Sequence, residues 1–219
     1  MTRMAYDAES KKTILVGGVS FTAAAEQFNE TWAYDYASNA WTKMNPKIQP
    51  PGLCDHTLDY DSESDRVVLW AGRLWTGEWI GGWGNGEWSS WTTLPQANLV
   101  WAYDYNSDSW ESFPVTDGPV VSIDVRYPNY FGSAYIYGMD RILYYWEDQL
   151  YAYDYNHNTW EKAQGDLVPH AGYRILFGMA YLASIQRLLV FGGQTMDAKP
   201  YDNTWLYYPQ TGDWTQVGP

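Results

Sequence analysis

The feature that most constrains this chain is a spacing that recurs four times along its length. Four sequence segments (called lines below) each begin with a Tyr and have a basic residue six positions later. Each continues as an apolar run and ends at two positions that usually hold Gly. In all four lines the Tyr lies 12 residues before the second of those two positions. Self-similarity of this kind is the signature of a repeat architecture. The lines begin at Tyr6, Tyr60, Tyr135 and Tyr181.

A second unit follows each line, and in it two aromatic residues stand nine positions apart. Both units alternate apolar and polar residues around turns rich in Asn, Asp and Ser, which predicts hairpins. Each repeat therefore supplies four antiparallel strands, labelled a to d here, and a repeated four-stranded sheet predicts the blade of a β-propeller. The aromatic pairs are Trp32 with Trp41, Trp101 with Trp110, Tyr151 with Trp160 and Trp205 with Trp214.

The Gly-Gly pair after an apolar strand, followed by a Tyr and a downstream Trp, resembles the kelch motif. Blocks such as Asp65-Arg66-Val67-Val68-Leu69 and Asn29-Glu30-Thr31-Trp32 resemble the plain kelch repeats of prokaryotic proteins. The resemblance covers nearly the whole chain and implies an all-β propeller with four kelch-type, four-stranded antiparallel blades. We expect one domain, 1–219, with blades at about 1–46, about 53–115 including an insertion at 73–99, about 130–164 and about 174–219.

Charge and cysteine content exclude several classes of function. The net charge of −13 opposes binding to nucleic acid and to anionic membranes, because both need Lys and Arg to neutralise phosphate. The single cysteine, Cys54, allows no intrachain disulfide. The chain as given contains no signal-like or membrane-spanning apolar segment, so we expect a soluble protein and leave its compartment open.

Length variation is confined to two of the four kinds of connection. The a-to-b and c-to-d hairpins keep their lengths, whereas the distances from the Gly pair to the first aromatic of strand c are 14, 29, 4 and 12 residues. The four-residue case predicts a tight turn in the third repeat. Because consecutive strands are antiparallel, the b-to-c and d-to-a connections leave a sheet at the same end. Insertions in repeat proteins map to one face, which is often the binding face.

The longest connection is rich in Trp and Gly. Two interpretations of it stay open: a small hairpin that extends the second blade or caps the propeller, and a platform for a sugar ring, an aromatic group or a peptide side chain. Its candidate ligand-binding residues are Arg73, Trp75, Trp79, Trp83, Trp88 and Trp91.

Two other variable segments pair a cation with tyrosine, a combination suited to polar ligands or to a protein hot spot. Either arginine could instead be a structural hydrogen-bond donor. The candidates are Arg126, Tyr127 and Tyr130 in one segment and His170, Tyr173 and Arg174 in the other.

Enzyme chemistry finds little support in the sequence. The carboxylates of 59–65 lack the mid-loop Gly and the final Glu of a calcium loop, and they lie in a predicted hairpin turn. A copper oxidase similar to galactose oxidase, whose fold this chain resembles, would need Cys54, His56 and His170 together with Tyr residues, and the spacing offers nothing further. We predict no catalytic residue, no cofactor and no metal.

The preferred hypothesis is therefore a non-enzymatic binding or scaffold module that uses the face formed by the b-to-c and d-to-a connections. Its partner would be a protein, peptide or glycan, neutral or basic rather than acidic, because few Arg are available to hold acidic groups. Self-association that completes a larger ring is a further option. The alternative is a carbohydrate-active or copper-dependent redox enzyme built on the same face.

Overall fold

A computed structural model describes residues 2–20, 27–72, 74–80, 87–92, 99–119, 131–146, 149–165, 174–195 and 197–218, with the backbone alone at 74–80 and 87–92. These residues form strands and turns, with no helix among them. Sixteen of the described strands make four antiparallel sheets in which strands a, b, c and d are hydrogen-bonded in that order. The prediction of a four-bladed, all-β propeller is confirmed.

The first two sheets come from the first half of the chain. The first sheet contains β1 (Arg3–Asp7), β2 (Lys12–Val16), β3 (Thr31–Asp35) and β4 (Ala40–Lys43). The second contains β5 (Thr57–Asp61), β6 (Arg66–Trp70), β9 (Leu99–Asp104) and β10 (Ser109–Pro114). Between β6 and β9 lie β7 (Leu74–Ile80) and β8 (Glu87–Thr92), which form a two-stranded sheet of their own.

The last two sheets come from the second half. The third sheet contains β11 (Gly132–Ile136), β12 (Arg141–Trp146), β13 (Gln149–Asp154) and β14 (Thr159–Lys162). The fourth contains β15 (Gly178–Leu182), β16 (Arg187–Phe191), β17 (Thr204–Tyr208) and β18 (Asp213–Val217).

The chain divides into two compact units. Unit 1 contains the first and second sheets within Met1–Pro114, and unit 2 contains the third and fourth sheets within Arg126–Pro219, together with Val115–Pro119. That 1–219 is a single domain stays a prediction.

A hydrogen bond from a strand tyrosine to a turn residue stabilises most of the repeated hairpins. The residue just before strand b or d adopts positive φ, between +47° and +57° where it is not Gly, and Asp and Asn tolerate that conformation better than most residues. In five hairpins a strand Tyr five positions earlier donates its hydroxyl to the carboxylate or amide oxygen of that residue. The pairs are Tyr34 with Asn39, Tyr60 with Asp65, Tyr103 with Asp108, Tyr135 with Asp140 and Tyr153 with Asn158, at 2.8–3.0 Å.

The repeated spacing of the basic residue has an equally local cause. The first residue of strand b lies beside the Asp that ends strand c, so an ion pair ties the two hairpins of a sheet together. Lys12 contacts Asp35 at 2.8 Å, Arg66 contacts Asp104 at 3.5 Å and Arg141 contacts Asp154 at 2.7 Å. The fourth sheet has Tyr208 in place of this Asp, and Arg187 stacks 3.6 Å from the centre of its ring.

In each unit an apolar cluster of described residues lies between the two sheets. In unit 1, small and branched side chains of the first sheet, such as Ile14 and Ala33, face an aromatic surface of the second sheet. The buried indole of Trp110 also donates across that interface to the Thr31 hydroxyl at 3.0 Å. Unit 2 repeats the arrangement, with Leu143 and Ala152 of the third sheet facing Leu188 and Tyr207 of the fourth.

Candidate binding surface

The long b-to-c connection of the second sheet forms an independent hairpin. β6 pairs directly with β9, so the four-stranded ladder is complete without the insertion. In the hairpin, Trp75 is the register partner of Trp91 and Trp79 that of Trp88, with a register shift between the two pairs. Residues directly opposite each other on antiparallel strands have their Cα atoms within about 5.5 Å. The backbone thus gathers four of the insertion's five Trp into two cross-strand pairs.

This arrangement refines the sequence-based expectation for the insertion. The expected hairpin is present, and its two strands form a sheet separate from the second blade. Arg73 and Trp83 lie outside the described residues, so their part in the candidate site stays a prediction. Whether the Trp side chains cap the propeller or receive a ligand also stays a prediction.

Arg174 is the one residue of the other two candidate segments that the structure describes. Its side chain is 1% exposed, and its guanidinium donates to the Gly192 carbonyl at 2.6 Å and to the Asn203 side-chain oxygen at 2.9 Å. The same group lies 4.3 Å from the centre of the Tyr201 ring. These contacts tie the start of the fourth sheet to its b-to-c connection, as expected of a structural donor.

The remaining sequence candidates, Arg126, Tyr127, Tyr130, His170 and Tyr173, lie outside the described residues. Their role in a binding site stays a prediction. The tight turn expected in the third repeat agrees with the register, because strands b and c of that sheet pair up to their last and first residues, Trp146 and Gln149.

Cys54 and His56 lie in the segment that enters the second sheet, and both are fully buried. The Cys54 thiol lies 3.8 Å from the Asp55 carboxylate. Asp55 adopts a φ of 58°, and a Cβ on Gly17 would approach the Leu53 carbonyl to 2.7 Å, so the glycine pair of the first sheet allows this close approach. The segment is therefore part of the packed interior of unit 1.

Burial determines the protonation of His56. Desolvation, reinforced by the positive charges of Arg3 and the N-terminus, lowers the pKa of His56 to about 3. The imidazole is therefore neutral near pH 7. Among the described residues no group of three His, Cys, Asp or Glu side chains is arranged to hold a metal ion.

A cavity of about 320 Å³ opens between the two sheets of unit 2. Its apolar wall includes Met139, Leu143, Ala163 and Pro209, and its rim carries polar side chains such as Glu161 and Lys162. The Tyr207 hydroxyl on the same wall donates to the Gln164 carbonyl at 2.6 Å, and burial raises the pKa of Tyr207 to about 12. Sequence reasoning misses this cavity, since its volume depends on side chains that are distant in sequence.

No protein-family model matches the chain, and no curated protein shows significant sequence similarity to it. The class of protein is defined by the fold, a four-bladed all-β propeller. Within the described part of the chain, no helix is long and apolar enough to cross a membrane.

Proposed function

We propose that this chain is a kelch-type propeller that acts as a non-enzymatic binding or scaffold module, engaging a neutral or basic protein, peptide or glycan. The binding surface is the end of the sheets that carries the b-to-c and d-to-a connections. The observation that carries the proposal is the inserted hairpin β7–β8, whose backbone aligns Trp75 with Trp91 and Trp79 with Trp88.

The hairpin supports a binding role because the blade does not need it. The third sheet connects strands b and c with only two intervening residues, whereas the second sheet spends 28 residues on the same connection. Tryptophan presents a large flat apolar surface with one N–H donor, which suits sugar rings and peptide side chains. A rigid sheet that carries one variable loop is the usual arrangement of a binding scaffold.

Charge selects the class of partner. A net charge of −13 attracts basic groups at long range and repels acidic ones. For a basic peptide we therefore expect capture to weaken as salt is raised, because exposed charges are screened beyond about 8 Å at physiological ionic strength. For a neutral glycan, capture should change little with salt.

The proposal is tested with a panel of neutral glycans and charge-matched basic and acidic peptides. We expect Trp79→Ala combined with Trp88→Ala to reduce capture of the best probe by about tenfold or more, since hot-spot aromatics are worth about 2 kcal/mol or more. The thermal unfolding midpoint should move little. Tyr36→Ala, in the c-to-d turn of the first sheet and 85% exposed, is the matched control and should bind normally.

Two results would contradict this function. Equal capture by the double variant and the Tyr36→Ala control would remove the hairpin from the binding surface. Turnover of any glycan in the panel would favour a carbohydrate-active enzyme instead.

A further inference from the structure

The first and fourth sheets each leave one apolar face open to solvent. On the first sheet, Met4, Tyr6 and Trp41 are 58%, 56% and 47% exposed, and on the fourth, Phe191 is 54% exposed. Exposed aromatic and apolar side chains that share one sheet face mark interaction sites. We call these two surfaces the head face and the tail face. The head face is Met4, Tyr6, Leu15, Trp32, Tyr34 and Trp41, and the tail face is Ala180, Leu182, Leu189, Phe191 and Leu206.

The head face repeats a surface that is buried in the second sheet. Counted by repeat position, its six residues correspond to residues of the second sheet that are at most 7% exposed and pack against the first sheet. Tyr is retained at two of these positions and Trp at two others, while Leu15 corresponds to Leu69. The corresponding residues are Leu58, Tyr60, Leu69, Trp101, Tyr103 and Trp110.

The tail face resembles the surface that the third sheet presents to the fourth sheet in unit 2. Its five residues correspond to residues of the third sheet that pack against the fourth sheet and are at most 6% exposed. Phe191 occupies the position of Tyr145, and Ala180 that of Ala134. The corresponding residues are Ala134, Ile136, Leu143, Tyr145 and Ala152.

A side-chain hydrogen bond joins the first and second sheets, and the residues at the equivalent repeat positions lie at the head and tail faces. Trp110 donates its indole N–H to the Thr31 hydroxyl in the buried interface of unit 1. The repeat equivalents are Trp41 at the edge of the head face and Thr204 beside Phe191. A tail-to-head contact could therefore form the same hydrogen bond.

We propose that the tail face of one chain packs on the head face of a second copy, in the arrangement that joins the first sheet to the second. Each copy carries both halves of the contact, so association is head-to-tail. None of the eleven side chains carries a carboxylate, and Glu30, which accepts a hydrogen bond from the Trp32 indole, is paired with Lys43, so we expect little like-charge repulsion between these two faces. The β7–β8 hairpin is not involved, and the inference is independent of the proposed function.

The first test is the solution mass, measured by light scattering across about two decades of protein concentration, because association follows mass action. We expect the wild-type chain to form species of two or more copies. Tyr6→Asp should disable the head face and Phe191→Asp the tail face, and each variant alone should have the mass of one chain. Tyr36→Asp, in an exposed turn, is the control and should behave as wild type.

Mixing the two disabled variants separates this contact from other modes of association. Tyr6→Asp retains a tail face and Phe191→Asp retains a head face, so an equimolar mixture should form a species of two chains and no larger one. Circular dichroism checks that both variants fold, and the milder Tyr6→Ser and Phe191→Ser replace any that does not.

The predicted hydrogen bond gives a finer readout. Trp41→Phe keeps an aromatic ring but removes the indole N–H together with part of the apolar surface, so it should weaken association by at least the roughly two- to tenfold effect of one hydrogen bond. Thr204→Val should weaken it similarly, and adding it to Trp41→Phe should have little further effect. A single-chain mass for wild type at every concentration, or association that survives both Asp substitutions, overturns the proposal.

Discussion

The two units contain the same kind of sheet pair but fill it differently. In unit 1, Met44 and Tyr105 pack against the cluster between the first and second sheets. The same repeat positions in unit 2 hold Ala163 and Pro209, which line the 320 Å³ cavity. The comparison shows that the repeat preserves the strand framework, while single side-chain sizes decide whether the space between two sheets is filled or open.

A second difference lies where the chain enters the second sheet in unit 1 and the fourth sheet in unit 2. The position of His56 in unit 1 is that of Phe177 in unit 2, and the residue before each has positive φ, 58° at Asp55 and 57° at Leu176. The backbone turn is thus the same, but unit 1 buries a titratable ring, whereas unit 2 has a half-buried aromatic hydrocarbon at this position. The two units should therefore respond differently to core truncation, to acid and to cavity filling.

The largest expected effect is truncation of the matched residues Ile14 and Leu143, which are 0% and 1% exposed. Ile14→Ala should lower the free energy of unfolding by about 4 kcal/mol and Leu143→Ala by about 3 kcal/mol. Leu143 loses fewer contacts because one side of it already faces the cavity. Denaturant unfolding measures both, with the exposed Ile185→Ala as a control that should change little. An equal or larger loss for Leu143→Ala would contradict the difference in packing.

The strands and hairpins of each sheet can be predicted from the sequence because the contacts that form them are local. The 12-residue spacing contains the Tyr, the turn residue five positions later and the basic residue that follows, all joined by contacts within one sheet. A side chain that fills the space between two sheets has no such local signature. Met44 and Ala163 occupy the same repeat position, and only their distant neighbours show what the difference does.

The candidate site is predictable to a lesser degree. The length of 73–99 locates the inserted hairpin, and the structure adds the Trp register and the separate sheet. Arg174 stands out in the sequence by its tyrosine neighbour, but its burial depends on the Gly192 carbonyl and Asn203, which no local pattern ties to it. The head and tail faces cannot be predicted from the sequence, because the prediction needs to know which face of each sheet packs against another sheet.

Acid should distinguish the two units next. The pKa of His56 is about 3 in the folded chain and about 6.5 when exposed, so the unfolded state binds a proton first as pH falls. The contribution of His56 is complete above about pH 6.5 and is lost progressively below it, by about 2 to 3 kcal/mol at pH 4.5. His56→Gln should remove this part of the pH dependence, measured as unfolding free energy against pH.

The matched variant in unit 2 is Phe177→Leu, which should lower stability by a similar amount at every pH because no titration is involved. A pH slope that is unchanged in His56→Gln would show that the carboxylates alone account for the acid response. A flattened slope in Phe177→Leu would contradict the assignment to His56.

The smallest effect comes from giving unit 2 the side chain of unit 1. Ala163→Met would place a flexible thioether at the cavity wall, and each buried methylene contributes about 0.8 kcal/mol. Ordering the Met side chain costs about 1.5 kcal/mol or more, so the net gain in unfolding free energy should be less than about 1 kcal/mol. Ala33→Met in unit 1, at a position where both units hold a buried Ala, should instead destabilise by about 1 to 3 kcal/mol through overpacking. Thermal unfolding measures both variants. Opposite signs would show that Ala163 borders open space that the buried Ala33 position lacks. Destabilisation by both would show that the cavity wall cannot accept the Met that unit 1 carries at the position of Ala163.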